Sequence, residues 1–259
     1  MRVFVEGVGI VGPGLEGWPS TRAVLAGTRP YAATAVSPQP AGLLPPAERR
    51  RAGTTARLAI AAGTEALVQA GRDPAEMAMV FAASGSDGET IHEILAVLAT
   101  QQREVSPTRF HNSVHNASSG YWALATGSRA PSISLSAYDD SFAAGLLEAA
   151  VQVTVCDRPV TLIAYDVPYP APLHAARPIA SVFGMALVLA PRRAERVLAS
   201  LTVAISDVAG SATGMVNPEL ELLRLGNPAA RGLPLLEAIA CAEARSICLS
   251  ELDIAVMPS

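Results

Sequence analysis

The sequence contains no lysine, because all 19 residues counted as Lys or Arg are arginine. No side chain can therefore form a Schiff base or act as a lysine general base. Only 16% of the residues are charged and the net charge is -4, which disfavours nucleic acid, a ligand that requires a basic surface. No uncharged apolar run reaches the roughly 20 residues that span a bilayer, and the first residues form a strand pattern rather than a signal peptide. We expect a cytoplasmic protein that binds neither nucleic acid nor membrane.

Cysteine and aromatic residues are also scarce. The three cysteines, Cys156, Cys241 and Cys248, are an odd set without CxxC spacing. Such a set predicts buried free thiols in a reducing compartment rather than a disulfide framework.

Half of the residues are hydrophobic, mostly Ala, Val and Leu, which predicts a densely packed domain. Apolar periodicity predicts helices over 49–71, 90–100 and 235–248, and strands over 2–7, 77–83, 159–166, 182–190, 196–207 and 253–256. Residues 31–46 form an irregular Pro-rich connection. Because helices and strands alternate, we expect an α/β fold in which some neighbouring strands are parallel.

Three glycines near the start, Gly7, Gly9 and Gly12, make a formal GxGxxG. A dinucleotide site would need a helix directly after them and an acidic residue about 20 positions later. Pro13, Gly14 and a neutral region follow instead. We therefore expect no cofactor.

The segment 110–150 organises the chain. A strand pattern breaks at Tyr138, Asp139, Asp140 and Ser141 into a helix pattern, and α/β enzymes often hold a nucleophile at such an elbow. The turn has no cysteine, and no histidine lies near it in sequence. Asp139 and Asp140 could form an acid–base pair, but carboxylates at a helix start are more often caps, which we favour.

Two histidines, His111 and His115, would share a face if they lay on one helix. With Asp139 and Asp140 they could bind a metal. The simpler interpretation places His111 in a loop and His115 as a packed polar residue. We favour it and expect no metal site.

Several segments together resemble the β-ketoacyl synthases, the condensing enzymes of the thiolase fold. The resemblance rests on the Gly-rich start VEGVGIVGPG, the Arg- and Ala-rich ERRRAGTTARLAIAAGTEALVQAG, and ISLSAYDDS at the elbow. It also includes a spaced pattern at Asn116, Gly120, Gly127 and Ala130–Ser132, and the segment FGMALVLAPRRAERVLASLTVAISD. It implies an α/β thiolase-like fold with the N-terminal half retained in residues 1–207. Residues 208–259 would be a reduced C-terminal segment packed on the same domain.

The departures from this family concern its catalytic residues. The family's nucleophilic cysteine aligns with Asp139, or with Tyr138 if the alignment slips by one residue. Its two histidine motifs are not found after Asp207, and its lysine is absent. The chain therefore resembles a chain-length factor, in the short form found in aryl polyene and related type II polyketide systems.

This resemblance implies a non-catalytic subunit that pairs with a ketosynthase. The heterodimer would elongate chains on an acyl carrier protein by decarboxylative Claisen condensation, and its products would be polyenes. It implies an interface at Ser106, Pro107, Thr108, Arg109, Phe110, His111, Asn112, Ser113 and Asn116. It implies a tunnel lining at Thr90, Ile91, Ile94 and Leu95.

Two other functions stay open at this point. One is a stand-alone thioester hydrolase or acyltransferase that uses Asp139, Asp140 and His115. The other is a degenerate thiolase-fold scaffold without a ketosynthase partner.

Overall fold

The computed structural model describes residues 1–36, 42–206 and 210–259. The strands are β1 Arg2–Gly12, β2 Leu15–Glu16, β3 Ala78–Ala82, β4 Ser132–Leu135, β5 Val160–Asp166, β6 Phe183–Ala190, β7 Ala199–Ile205, β8 Arg245–Leu249 and β9 Leu252–Pro258. The α-helices are α1 Trp18–Leu25, α2 Pro46–Arg51, α3 Thr54–Ala70, α4 Gly88–Leu98, α5 Pro107–Asn112, α6 Ala117–Thr126, α7 Ser141–Cys156, α8 Leu173–Ala176, α9 Pro218–Gly226 and α10 Leu233–Cys241. Short 3-10 helices span Tyr138–Asp140 and Pro228–Gly232.

All of these strands belong to one mixed sheet, in the order β4-β3-β5-β6-β1-β7-β9-β8, with β2 paired to β1. The β3–β4 and β3–β5 pairs are parallel, and the remaining pairs are antiparallel. The expectation of an α/β fold with some parallel neighbours is confirmed. Because β3, β4 and β5 are parallel, their carboxyl ends meet at the same edge of the sheet.

The first strand lies between two parts of this sheet, with β4-β3-β5-β6 on one side and β7-β9-β8 on the other. Its N-terminal part, Arg2–Val5, pairs with β7, while Phe4–Val11 pairs with β6. The register of the pairing with β6 shifts between Val5 and Gly7, which marks a bulge or similar irregularity in the strand.

Two of the three glycines of β1 allow close packing against a helix. A Cβ atom on Gly9 would lie 1.9 Å from the carbonyl oxygen of Ala62, and one on Gly7 would lie 2.1 Å from that of Ala66. Helix α3 therefore packs with its backbone against the strand. The chain continues from β1 into β2 rather than into a helix, so the context of a dinucleotide site is missing.

The sheet is covered on both faces. On one face, α3 and α6 enclose a core that includes Leu58, Phe81 and Trp122. On the other face, α7 and α10 cover residues that include Val80 and Leu162. Leu146 and Val153 of α7 are fully buried, so α7 lies at the centre of the larger core.

Two predicted helices differ from the structure. The predicted helix 49–71 is divided into α2 and α3, because Ala52 and Gly53 adopt extended conformations between them. The predicted helix 235–248 is wrong in its second half. Helix α10 ends at Cys241, Ala242 adopts a left-handed φ of 52°, and β8 then pairs with β9. Helices α1 and α9 were not predicted.

Some other predictions need correction or lie beyond the described residues. The prediction of buried thiols is wrong, because Cys156 is exposed and Cys241 and Cys248 are half-buried. Residues 37–41 of the irregular connection lie outside the described residues, as does Asp207 at the predicted domain boundary. Strands on both sides of that boundary share one sheet, while the division itself stays a prediction. In the described part of the chain, no helix has the length and apolar character that crossing a bilayer needs.

Candidate functional site at the strand-to-helix elbow

The elbow lies between β4 and α7, where the chain turns sharply through a single 3-10 turn. Tyr138 adopts a φ of +53°, a conformation that is uncommon for residues other than glycine. The buried Ser141 side chain closes the turn. Its Oγ donates to the Tyr138 carbonyl oxygen at 2.7 Å and accepts from the Ala137 amide at 3.0 Å. The backbone strain that marks an elbow therefore falls on Tyr138, and not on Asp139.

Asp139 is bound by two arginines from distant parts of the chain. Its Oδ1 lies 2.7 Å from Arg177 Nη1, and its Oδ2 lies 3.0 Å from Arg231 Nη2. Arg177 follows α8, and Arg231 belongs to the 3-10 helix Pro228–Gly232. We call Asp139, Arg177 and Arg231 the elbow clamp.

Neither aspartate caps α7, so the predicted capping role is wrong. Asp140 directly precedes α7, but its side chain makes no capping hydrogen bond. Its Oδ1 lies 4.0 Å from Arg231 Nη1, while both oxygens of Asp139 already bind guanidinium groups. The positive charges of the arginines replace the helix amides as partners.

Tyr138 extends the clamp on its outer side. The guanidinium carbon of Arg177 lies 3.6 Å from the centroid of the Tyr138 ring, which is a cation–π contact. The Tyr138 residue is nevertheless 61% exposed. The most exposed aromatic group of the elbow is thus held in place by a single arginine.

A second polar network lies behind the elbow, at the carboxyl ends of the parallel strands. Asp166, at the end of β5, is buried, and its Oδ1 accepts from the amide and the Oγ of Ser84 at 2.9 and 2.6 Å. Ser136, just after β4, donates from Oγ to the Ser84 carbonyl oxygen at 3.1 Å. Burial raises the pKa of Asp166 to about 7, although the Ser84 hydrogen bonds and the charge of Arg177 oppose this rise.

The two histidines do not lie on one helix. His111 belongs to α5, and not to a loop, whereas His115 lies in the turn before α6. The Nε2 atom of His115 lies 3.2 Å from the carbonyl oxygen of Ala83. Within residues 1–36, 42–206 and 210–259, no three His, Cys, Asp or Glu side chains come together as a metal site would require.

The residues predicted to line a tunnel or an interface lie on α4, α5 and the turn before α6. Apolar side chains of this arm are exposed, with Leu95 48%, Leu98 44% and Phe110 67% accessible. Arg109 Nε on α5 lies 2.6 Å from Glu93 Oε2 on α4, which ties the two helices together. We refer to α4 and α5 as the arm.

Two of these predicted residues lie inside the chain. Asn112 is buried, donates from Nδ2 to the Arg51 carbonyl oxygen at 2.8 Å, and accepts from the Tyr121 hydroxyl at 3.0 Å. Thr90 is buried in the first turn of α4, where its amide donates to Asp87 Oδ1. The side chain of Asn112 anchors the arm and is not available to a partner.

The remaining predicted residues are more accessible. Exposed positions are Pro107, Thr108, Arg109, Phe110, His111, Asn116 and Leu95, and half-buried positions are Ser106, Ser113, Ile91 and Ile94.

A cavity of about 280 Å³ opens beside the N-terminus of α7. Its lining includes Asp139, Asp140, Phe142, Arg224 and Arg231. His115 lines a different and much smaller cavity, together with Asp87 and Asn112. The structure therefore does not assemble the predicted set of Asp139, Asp140 and His115.

Sequence reasoning missed four residues of this site, namely Arg177, Arg231, Ser84 and Asp166. Arg177 and Arg231 come from a Pro-rich loop and a Gly- and Pro-rich segment, which carry no periodic pattern. Asp166 ends a predicted buried strand, and a carboxylate at that place was the one available signal.

Comparisons with known proteins place these features in a family. The model of the β-ketoacyl synthase N-terminal domain matches residues 24–224. No curated protein matches the sequence.

Three solved structures match almost the full length of both chains. One is the ketosynthase ApeO in complex with its chain length factor ApeC from Xenorhabdus doucetiae, at 24% identity and a TM-score of 0.72, covering 99% of each chain. The ishigamide ketosynthase/chain length factor matches at 15% identity and a TM-score of 0.68, again covering 99% of each chain. AntDE:AntF, a type II PKS acyl-carrier protein in complex with its ketosynthase, matches at 14% identity and a TM-score of 0.73, covering 100% of this chain and 99% of that one. These matches confirm the predicted thiolase-like α/β fold.

Proposed function

Since the chain belongs to the family of β-ketoacyl synthase N-terminal domains, we propose that it is a non-catalytic subunit of the chain-length-factor type. It pairs with a ketosynthase, and the heterodimer elongates chains on an acyl carrier protein by decarboxylative Claisen condensation. We assign the product to the polyenes. The observation that carries the proposal is an elbow with the shape of a nucleophile site and the wrong side chains for it.

The elbow offers no thiolate. A ketosynthase-type nucleophile would be a cysteine at the start of a long helix, where the helix dipole favours the ionised thiol. Here Tyr138 occupies the strained position and stacks on Arg177, while Asp139 is bound by two guanidinium groups. Cys156 lies at the opposite end of α7. This arrangement supports a structural role for the elbow.

The surface beside the elbow supports a protein partner. Strand β4 lies at one end of the sheet order, and Ser132 and Ile133 on it are exposed. Such an edge presents unpaired backbone groups that another strand can complete. Leu124 of α6 and Phe110 of the arm add exposed apolar area nearby in sequence, of the kind that marks protein interfaces.

The arm supplies candidates for the tunnel. Ile91, Ile94 and Leu95 lie on α4, a helix that buries only Gly88 and Thr90 within its own chain. An apolar helix that its own chain leaves half-exposed is suited to enclose an acyl chain once a partner covers it. We propose that these three side chains line the tunnel and that their bulk influences its depth.

The solved relatives are consistent with this assignment. Two of them are described as ketosynthase and chain length factor assemblies, and each matching chain has nearly the extent of this one. A β-ketoacyl synthase from Burkholderia phymatum is matched over only 70% of its length, with 88% of this chain covered. The likeness to the shorter chains supports the partner class that we propose.

Co-expression with a ketosynthase from the same genome tests the proposal. We expect the two proteins to elute together on size exclusion, and the ketosynthase to condense malonyl units on its carrier protein only in the complex. If the chain elutes alone and the ketosynthase is equally active without it, the proposal is wrong.

A matched pair of variants would locate the interface. Phe110→Asp places a charge on the arm, whereas Val155→Asp places one on an equally exposed site at the far end of α7. We expect the first to abolish co-elution and the second to leave it intact. Equal effects of the two would show that the arm is not the interface.

A further inference from the structure

The start of helix α4 packs against a tyrosine from a distant part of the chain. Tyr169 lies in the Pro-rich loop 167–182, which joins β5 to β6 and includes α8. A Cβ atom on Gly88 would lie 1.8 Å from Tyr169 Cδ1, and one on Gly85 would lie 2.0 Å from the Tyr169 hydroxyl oxygen. Only glycine, which has no Cβ atom, leaves room for the ring at these two positions.

The sheet topology brings the two segments together. Strands β3 and β5 are parallel neighbours, and Ala82 pairs with Ala164 near their carboxyl ends. The segment before α4 therefore leaves the sheet at the same edge as the Pro-rich loop. The hydroxyl and the amide of Ser84 both donate to Asp166 at this edge, which holds the two strand ends together.

Helix α4 is anchored to its own chain at its first turn. Gly88 and Thr90 are the residues that it buries, whereas residues 91–98 are half-buried or exposed. Asp87, just before the helix, accepts from the Thr90 amide at 3.0 Å and from the Thr55 hydroxyl at 3.2 Å. The anchor thus has a polar part, formed by Asp87, and an apolar part, formed by the Tyr169 ring on Gly88.

An anchor at one end makes the helix a lever. Helix α4 has 11 residues, which corresponds to a length of about 15 Å. Ile91, Ile94 and Leu95 lie one to two turns beyond Gly88. A tilt of the helix about its first turn would therefore displace these three side chains by more than it displaces the anchor itself.

On the basis of the function proposed above, we propose that Tyr169 is a positioning residue that determines the length of the product. It acts through α4, because its ring fixes the start of the helix and so sets where the three tunnel side chains lie. The same loop carries Arg177, which binds Asp139. The Pro-rich loop therefore also fixes the position of α4 relative to the elbow.

Hydrogen–deuterium exchange of the chain alone, followed by mass spectrometry, tests the anchor. We expect Tyr169→Ala to raise the exchange rate of residues 88–98 about tenfold, because the first turn loses its apolar contact. Tyr169→Phe keeps the ring and should exchange like the parent protein. Tyr31→Ala is the matched control, since Tyr31 is also half-buried but donates to the Pro13 carbonyl oxygen, and it should leave this segment unchanged.

A compensating substitution tests the contact itself. Gly88→Ala alone should also raise the exchange rate, because its Cβ would collide with the ring. The three atoms nearest to that Cβ all belong to Tyr169, so the same alanine should fit once the ring is removed. We expect the double variant Gly88→Ala, Tyr169→Ala to exchange no faster than Tyr169→Ala. Two effects that multiply would show that the residues act independently and would overturn the proposal.

The complex with the ketosynthase tests the effect on the product. We expect Tyr169→Ala to change the distribution of product lengths, and Tyr169→Phe and Tyr31→Ala to keep the parental distribution. A residue that only supports the fold would lower the yield at unchanged length, and that result would overturn the proposal. If the parent chain forms no active complex, the proposed function is wrong, and the exchange rates still decide whether Tyr169 positions α4.

Discussion

Asp139 links the elbow to two distant parts of the chain, because it forms ion pairs with two arginines that are themselves partly buried. The exposed side-chain fractions are 17% for Arg177, 30% for Arg231 and 36% for Asp139. A surface ion pair contributes little to the free energy of unfolding, whereas breaking a buried pair lowers it strongly. The contribution of a partly buried pair such as this one should lie between the two.

We predict that Asp139→Asn lowers the free energy of unfolding by about 1 to 2 kcal/mol, after allowance for solvent screening. Urea denaturation measures the change. Asp157→Asn is the control, since Asp157 pairs with Arg192 at the surface, where 58% and 80% of the two side chains are exposed. If both variants lose the same stability, the clamp does not hold the elbow.

The same residue separates the proposed subunit from a stand-alone hydrolase. We expect the purified chain to release no free acid from an acyl thioester above the uncatalysed rate, and Asp139→Asn to change nothing, because Asp139 and His115 lie at different cavities. Thiol release followed with a chromogenic reagent gives the answer. Turnover by the parent protein that Asp139→Asn abolishes would instead establish the hydrolase.

Local sequence rules could not identify the clamp. An aspartate in front of a helix pattern predicts a cap, since the rule considers only the next few residues. Arg177 and Arg231 reach Asp139 only after β5, β6 and the C-terminal segment are in place. The position of the elbow was predictable from the change of period at Tyr138, whereas its partners depend on tertiary structure.

Among the elements, α3 and β1 pack with their backbones in close contact. We predict that Gly9→Ala lowers the stability by about 2 to 3 kcal/mol, because overpacking forces the backbones apart. The new Cβ would lie 1.9 Å from the Ala62 carbonyl oxygen. Thermal unfolding measures the loss.

Gly120→Ala is the matched control, because the glycine lies in a helix where an added Cβ meets open space. A Cβ at Gly120 would meet no atom within 4 Å, and this glycine lies inside α6. We expect a gain of about 0.5 to 1 kcal/mol, as alanine is the better helix former. A loss at Gly120 as large as that at Gly9 would show that packing against α3 is not the cause.

The predictability of an element depended on its apolar pattern. Strands β3, β5 and β6 are continuous buried runs, and the sequence predicted each within a residue or two. Residues 235–248 are also largely apolar, but there the pattern predicted the wrong element. Only pairing of β8 with β9 decides that the second half is a strand, and this pairing follows a turn that the helix pattern hid.

For the whole molecule, Asp166 makes stability depend on pH. Its pKa rises from 3.8 to about 7 on folding. The folded state therefore keeps a proton that the unfolded chain has lost. The stabilisation is complete below the unfolded value and decreases as pH rises towards the folded value.

We predict that Asp166→Asn becomes more favourable relative to the parent protein by about 1 to 3 kcal/mol between about pH 5 and about pH 8. Denaturation at both pH values measures this difference. The exposed Asp73 gives the control, since Asp73→Asn should show no such change over the range. An identical pH profile for all three proteins would mean that Asp166 is ionised in the folded state throughout.

The first strand sets the order in which this molecule can form during translation. Its main neighbours in the sheet are β6 and β7. Phe4 pairs with Ala190 and Val3 pairs with Leu201, so neither pair can form until the later residue has been synthesised. Until those segments leave the ribosome, the two-residue β2 is the only paired strand that β1 has among the described residues. An apolar strand that emerges early and pairs late is a substrate for nascent-chain chaperones, and long-range pairing of this kind folds slowly. The central position of β1 in the sheet therefore leaves it without its main strand partners during synthesis, before the chain can bind another protein.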